Sequence, residues 1–231
     1  MRTSIKILVT ALILSGTSTA FGAGGGEVGV GTGPGMDTRN DSKSPEIQAK
    51  MQFNTGVRAI EKADELDADA ARQTDPKKRA KLTEKARSDY SAGLKKFLGA
   101  TKLNSTMYEA WNYAGYASRK LGNYDDALIA YDRALSIKPG YPEAIEYRGH
   151  AFLALNRLSE AKEAYLTLYT GNRKLANQLL TAMRAWVGEH RTNAGGIDAA
   201  MLDSFASWVT ERGTIAGQTV GLTREGASAR W

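Results

Sequence analysis

From Pro45 onward the apolar positions recur at helical spacing, with Ile47, Met51, Val57 and Ile60 about three or four residues apart and few β-branched runs. The pattern predicts helices and no strands. Thr74-Asp75-Pro76 interrupts it: Asp75 suits an N-cap, and Pro76 suits the first helical turn, where its missing N–H is no loss. A long second helix is therefore expected over Pro76 to Leu103. Further helices are expected at about 108–121, 124–137, 142–155, 159–169, 175–189 and 197–212. In the last two, Leu179, Ala182, Met183 and Trp186 form one apolar stripe, and Ile197, Met201, Leu202, Phe205, Trp208 and Val209 form another.

Shifting the chain by 34 residues against itself aligns Glu109 with Glu143, Ala110 with Ala144, Tyr113 with Tyr147, Gly115 with Gly149 and Ala117 with Ala151. The same shift pairs Leu121 with Leu155, Ala127 with Ala161, Ala130 with Ala164 and Tyr131 with Tyr165. A fixed period of this size marks a stacked supersecondary unit. Gly115 and Gly149 on the first helix of each pair, and Ala127 and Ala161 on the second, are small enough for two backbones to approach. Tyr131 and Tyr165 then fill the space beside them, and Pro139 stops the second helix of the first pair.

The stretch from Tyr108 to Tyr141 resembles a tetratricopeptide repeat in Trp111, Gly115, Ala127, Tyr131, Ala134 and Pro139, whereas Ala114 and Ser118 replace larger residues of the signature. The second copy, from Pro142 to Leu175, keeps Ile145, Gly149, Phe152, Ala161 and Tyr165 but has Arg173 in place of the closing proline. Upstream, Gly93, Phe97 and Ala100 look like the second helix of an earlier repeat, with Gly56 as the small residue of its first helix. Gly56 and Phe97 are 41 residues apart, against 16 for Gly115 and Tyr131. The surplus lengthens each helix by about 12 residues, which predicts a hairpin that overhangs the stack by roughly 18 Å. The resemblance implies an all-α solenoid, a right-handed stack of antiparallel helix pairs. The expected divisions are a signal peptide (1–20), a glycine-rich disordered tether (21–44), the extended hairpin (45–107), two repeats (108–141 and 142–175), capping helices (176–213) and a flexible tail (214–231).

Composition narrows the function. The 231 residues carry 31 Lys or Arg interleaved with 25 Asp or Glu for a formal charge of +6, which reads as solvated helix faces rather than a nucleic-acid stripe. Arg2 and Lys6, the apolar run Ile7 to Leu14, and Ser18-Thr19-Ala20 read as a secretory signal; the run is far shorter than a membrane span, so no stable membrane insertion is expected after its removal. With no cysteine there is no disulfide, no catalytic thiol and no lipidated N-terminus, so a periplasmic or secreted protein is expected. The glycines between Gly22 and Gly35 follow no predicted strand and precede no Gly-Lys-Ser or Gly-Lys-Thr, which argues against a phosphate loop.

His150 and His190 are the two histidines, and neither sits in a His-Glu-x-x-His pattern or beside a Gly-x-Ser-x-Gly elbow. No catalytic residue, metal site or cofactor is therefore expected. The resemblance implies a concave groove lined by the first helix of each pair, with Asn112, Tyr116 and Arg119 from one repeat and Glu146 and His150 from the next. Asn112 would bond a peptide backbone, Tyr116 supply contact area and Arg119 clamp a carboxylate. The family's clamp for a peptide C-terminus is not matched, since Phe53, Val57, Tyr113, Glu143 and Tyr147 stand at its positions. The partner expected is an unidentified protein or peptide, with a small cell-wall ligand or an enzyme complex as alternatives.

Overall fold

The computed structural model describes residues 44–193 and 195–228, with side chains described as far as residue 216. The expected signal segment and nearly all of the tether lie outside them, as does Trp231. Eight helices follow one another with no strand among the described residues: α1 (Pro45–Arg72), α2 (Pro76–Leu103), α3 (Tyr108–Leu121), α4 (Tyr124–Ile137), α5 (Pro142–Ala154), α6 (Leu158–Gly171), α7 (Arg173–Thr192) and α8 (Ala199–Ser228). They pack as four successive antiparallel pairs, each first helix also resting on the first helix of the next pair or on the intervening second helix. The chain folds as an all-α helical solenoid.

Side chains punctuate the helices where local chemistry requires it. Ser44 Oγ accepts from the Ile47 N–H at 3.3 Å and Asp75 Oδ1 from the Lys77 N–H at 2.8 Å, and a proline follows each cap. Gly122 ends α3 in the left-handed region (φ 87°), and 34 residues later Asn156 adopts the same conformation (φ 57°) after α5. In both turns the next N–H reaches back to a carbonyl of the final helical turn, Asn123 to Ser118 at 2.9 Å and Arg157 to Phe152 at 2.8 Å. Where Arg173 replaces the expected proline, Asn172 alone joins two helices: its N–H donates to Leu168 O at 2.6 Å and its Oδ1 accepts from the Leu175 N–H at 3.1 Å.

The hairpin helices have 28 residues each, twice the 14 of α3 and α4. Their seam is built from small residues at seven-residue spacing: Ala49, Gly56, Ala63 and Ala70 on α1, and Ala86, Gly93 and Ala100 on α2, all buried. A strict heptad keeps the same face inward along two supercoiling helices, and small side chains there bring the axes close. Large residues fill the gaps this leaves, Phe97 over Gly56 and Ile60 over Gly93. Lys120 and Leu121 at the end of α3 meet Asp67 and Arg87, so the segment between those two projects beyond the stack. Eleven residues of α2 precede Arg87 there, a rise of about 16 Å.

The expected small-residue contact recurs in the first repeat but changes in the second. A methyl group on Gly115 would lie 2.6 Å from the Tyr131 ring, matching the 2.6 Å between Gly56 and the Phe97 ring. Gly149 instead faces Leu179 of α7 at 2.7 Å rather than Tyr165, because α7 occupies the place of the next first helix and drives its side chain against α5. Tyr165 is covered by Trp208 of α8 at 5.4 Å, and Trp186 packs edge-on to Phe205 at 5.3 Å, so α7 and α8 close the apolar end. Two expectations change here. Met201 is exposed, not part of the apolar stripe, and α8 continues to Ser228 through a stretch with no proline to stop it.

Gly115→Ala and Gly56→Ala are each expected to lower stability by about 1–3 kcal/mol, because the ring opposite must leave its well. Thermal melts followed by circular dichroism test this. A melting temperature equal to wild type in both would show that the crossings are not tight.

Candidate functional site

The residues expected to line the groove are brought together, but mostly inside the stack. Asn112 is 2% exposed, Tyr116 4% and Glu146 5%, while Arg119 and His150 are half-buried. Asn112, Tyr116 and Glu146, expected to line an open groove, are thus buried in this structure. No residue of α3 is more than partly exposed. Over Tyr116 and Lys120 the cover comes from the hairpin: α1 is long enough to bring Asp64 and Asp67 over the end of α3.

The covering contact is polar. The Tyr116 hydroxyl donates to Asp64 Oδ1 at 2.8 Å, and the Tyr90 hydroxyl lies 2.6 Å from the same oxygen and 2.9 Å from Asp67 Oδ2. Lys120 Nζ pairs with Asp67 at 2.5 Å and sits 5.0 Å from the Tyr90 ring centroid. Burial, followed by the charge of Asp64, pushes the Tyr116 phenol far above its ordinary range; burial and the bond to Asp64 do the same for Tyr90. Both remain protonated donors. Beyond them the Arg119 guanidinium lies over Tyr116 at 5.1 Å and Tyr147 at 5.8 Å, and these two rings are 5.1 Å apart. His150 Nε2 is 2.7 Å from Glu146 Oε1, one helical turn away. Asn112 Oδ1 is buried with no hydrogen-bond partner among the described residues.

The open surface lies on the opposite side, between α4 and α6. A cleft of about 860 Å³ is walled by Asp125, Leu128, Ile129, Asp132 and Leu135 of α4 and by Glu160, Glu163, Ala164 and Thr167 of α6. Ile145, Arg148 and Phe152 of α5 form its floor. Ile129 is 66% exposed on the wall. Arg148 and Arg157 lie 5.6 and 4.8 Å from the Phe152 ring centroid and pair with Asp132 at 2.5 Å and Glu160 at 2.8 Å. Asp125 and Glu163 are left without a side-chain ion pair among the described residues. Sequence reasoning missed this cleft. Its signal was Ile129, an apolar residue on the outward side of α4 where a solvated helix carries a polar one.

His190 stacks on Trp186 at 3.9 Å and its Nδ1 lies 2.8 Å from Trp186 O, so each histidine is engaged within its own helix. Among the described residues no group of three His, Asp or Glu side chains is placed to hold a metal ion. No helix described is long and apolar enough to cross a membrane.

Helix pairs of this length, small residues at their crossings and a 34-residue period define a repeat solenoid. Residues 82–142, from within α2 to the first residue of α5, match the family described as tetratricopeptide repeat. Tetratricopeptide repeat protein 17 of Rattus norvegicus is 32% identical over 78 residues, a segment covering 34% of this chain and 6% of that protein. A solved structure described as the first TPR of Spaghetti (RPAP3) bound to HSP90 peptide SRMEEVD is 20% identical with a TM-score of 0.38, covering 55% of this chain and 94% of its own.

Asp64→Ala is expected to destabilise by about 1–3 kcal/mol, because the Tyr116 hydroxyl loses its acceptor inside the stack, while Tyr116→Phe removes donor and demand together and is expected to cost about 1 kcal/mol. Calorimetry on both variants checks the order. Equal melting temperatures would mean that the hairpin is not held to α3 through Asp64.

Proposed function

We propose that this chain is an exported, non-catalytic interaction scaffold that holds a segment of another protein in the cleft between α4 and α6. The repeat fold suggests protein–protein interaction, and the observation that carries the choice of surface is the exposed Ile129 above the Phe152 floor. An apolar trough with a few fixed charges is the usual form of a site that takes a side-chain stripe from a partner. Asp125 and Glu163, unpaired on opposite walls, favour a segment that carries Lys or Arg beside its apolar residues. Export rests on Arg2, Lys6 and the apolar run Ile7 to Leu14, and the periplasm is the compartment this reading assigns.

A second reading keeps the concave face as the peptide site and is favoured by Asn112 Oδ1, a buried acceptor without a donor among the described residues. It requires the Asp64 to Tyr116 contact to open.

A displayed library of random peptides, selected on the full chain, separates the two. Ile129→Asp with Glu163→Lys is expected to weaken the selected peptides at least tenfold, and those peptides are expected to pair apolar residues with Lys or Arg. Peptides lost instead on Asn112→Ala and Arg119→Ala would place the site on the concave face, and a failure of any peptide to enrich would count against the scaffold itself. In a bacterial host the product is expected in the periplasmic fraction, lacking about the first 20 residues; a cytoplasmic, uncleaved product would remove the assignment to the envelope.

A further inference from the structure

We propose that the outward face of α2 is a docking surface for an anionic lipid bilayer, meeting it lengthwise. The proposal is independent of the cleft between α4 and α6. α2 carries nine Lys or Arg against the two acids Glu84 and Asp89, a surplus of seven in a chain whose formal total is +6. The helix therefore concentrates the charge of the whole molecule. At 100° per residue, Lys77, Lys81, Lys85, Lys95 and Lys102 fall within one stripe opposite the buried seam of Ala86, Gly93 and Ala100. All five are exposed, and none has a carboxylate partner among the described residues; Asp89 is taken by Lys62 at 3.0 Å, leaving Glu84 as the single acid on the stripe.

The shape of the face selects the occupant. Twenty-eight residues make a rod about 42 Å long, several times the screening length of about 8 Å at physiological salt. Such a rod gains from a surface that offers charge along its whole length. Between the lysines stand the short, exposed Ser88, Ser91 and Ala92, so nothing projects to hold a plane away. Toward the end of the helix Leu98 is 40% exposed between Lys95 and Lys102, beside a shallow depression of about 490 Å³ formed with Gln52 and Gly99. Lysines that keep their heads in the headgroup layer while an apolar side chain enters the acyl boundary are the interfacial arrangement. The depression along this stretch, about 410 Å³ between Pro76, Arg79, Ala80, Thr83, Glu84 and Arg87, is shallow and carries the acid Glu84, so it offers little to an acidic peptide. The contact is peripheral, since no described helix is built to span.

The test is co-sedimentation of the full chain with vesicles of phosphatidylcholine alone or with about 30% phosphatidylglycerol, at about 0.1 M salt. Binding to neutral vesicles measures the contribution of the apolar run near the N-terminus. Anionic vesicles are expected to bind at least tenfold more tightly, and Lys77→Gln, Lys81→Gln, Lys85→Gln together to weaken that binding about 100-fold while leaving neutral binding and helicity unchanged. Lys95→Gln with Lys102→Gln, a second variant at the far end of the helix, is expected to lose about tenfold or more. Equal binding to the two kinds of vesicle would overturn the proposal, as would variants indistinguishable from wild type. Lysine-dependent capture of polyglutamate or of DNA, with no gain on anionic vesicles, would overturn it in favour of an acidic macromolecule.

Discussion

The architecture depends on how closely helix backbones approach where a glycine faces a ring. At Gly56 and at Gly115 no Cβ fits under the opposing Phe97 or Tyr131. Each ring therefore lies directly on the partner backbone, and the two helices of a pair cross at the distance this allows. The alanine heptads extend the same constraint along the hairpin, from Ala49 to Ala70 on α1 and from Ala86 to Ala100 on α2. Small residues bury little apolar area themselves; their effect is to let large neighbours pack at interior density. From those crossings an aromatic chain runs through the molecule, with Phe97 against Tyr113 at 5.2 Å, Tyr90 against Tyr116 at 6.5 Å and Tyr116 against Tyr147 at 5.1 Å.

That closeness decides which face is available. Each first helix is pressed against its own second helix, and the long α1 adds Asp64 and Asp67 above the end of α3. The polar residues of the concave side therefore bond to one another: Tyr116 to Asp64, Lys120 to Asp67, His150 to Glu146. Successive second helices are held apart by the first helix between them, so α4 and α6 leave α5 visible at the bottom of a cleft. The same packing thus closes one side and opens the other.

Much of the fold was legible because it is written in short-range rules. Asp75 and Pro76 set the start of α2, the 34-residue period placed α3 to α6, and the spacing of Gly56 from Phe97 carried the overhang. Burial was harder to read. Asn112, Tyr116 and Glu146 are all buried, and for Tyr116 the cover comes from α1, whose Asp64 is 52 residues away in the chain. The cleft was invisible for a related reason: its walls come from two helices not consecutive in sequence, and its floor from a third. Gly149 shows the limit of the repeat argument, since its place in the period is kept while its contact passes from Tyr165 to Leu179. The heptads, by contrast, were present in the sequence and only their seven-residue spacing had to be noticed.

The distribution of charge follows from the same division of labour among helices. In the repeats, basic and acidic side chains meet across helices, as in Arg148 with Asp132 and Lys120 with Asp67. Such pairs fix orientation and leave little net field. The projecting part of the hairpin has no neighbouring repeat to supply partners, so Lys77, Lys81 and Lys85 of α2 face solvent with no carboxylate partner among the described residues. A modest net charge spread evenly over a surface of this size would be screened within one Debye length. Gathered on one rod it produces a directional field, while the unpaired Asp125 and Glu163 give the cleft the opposite sign. The two faces therefore carry charge of opposite sign, and neither depends on the polar layer buried between them.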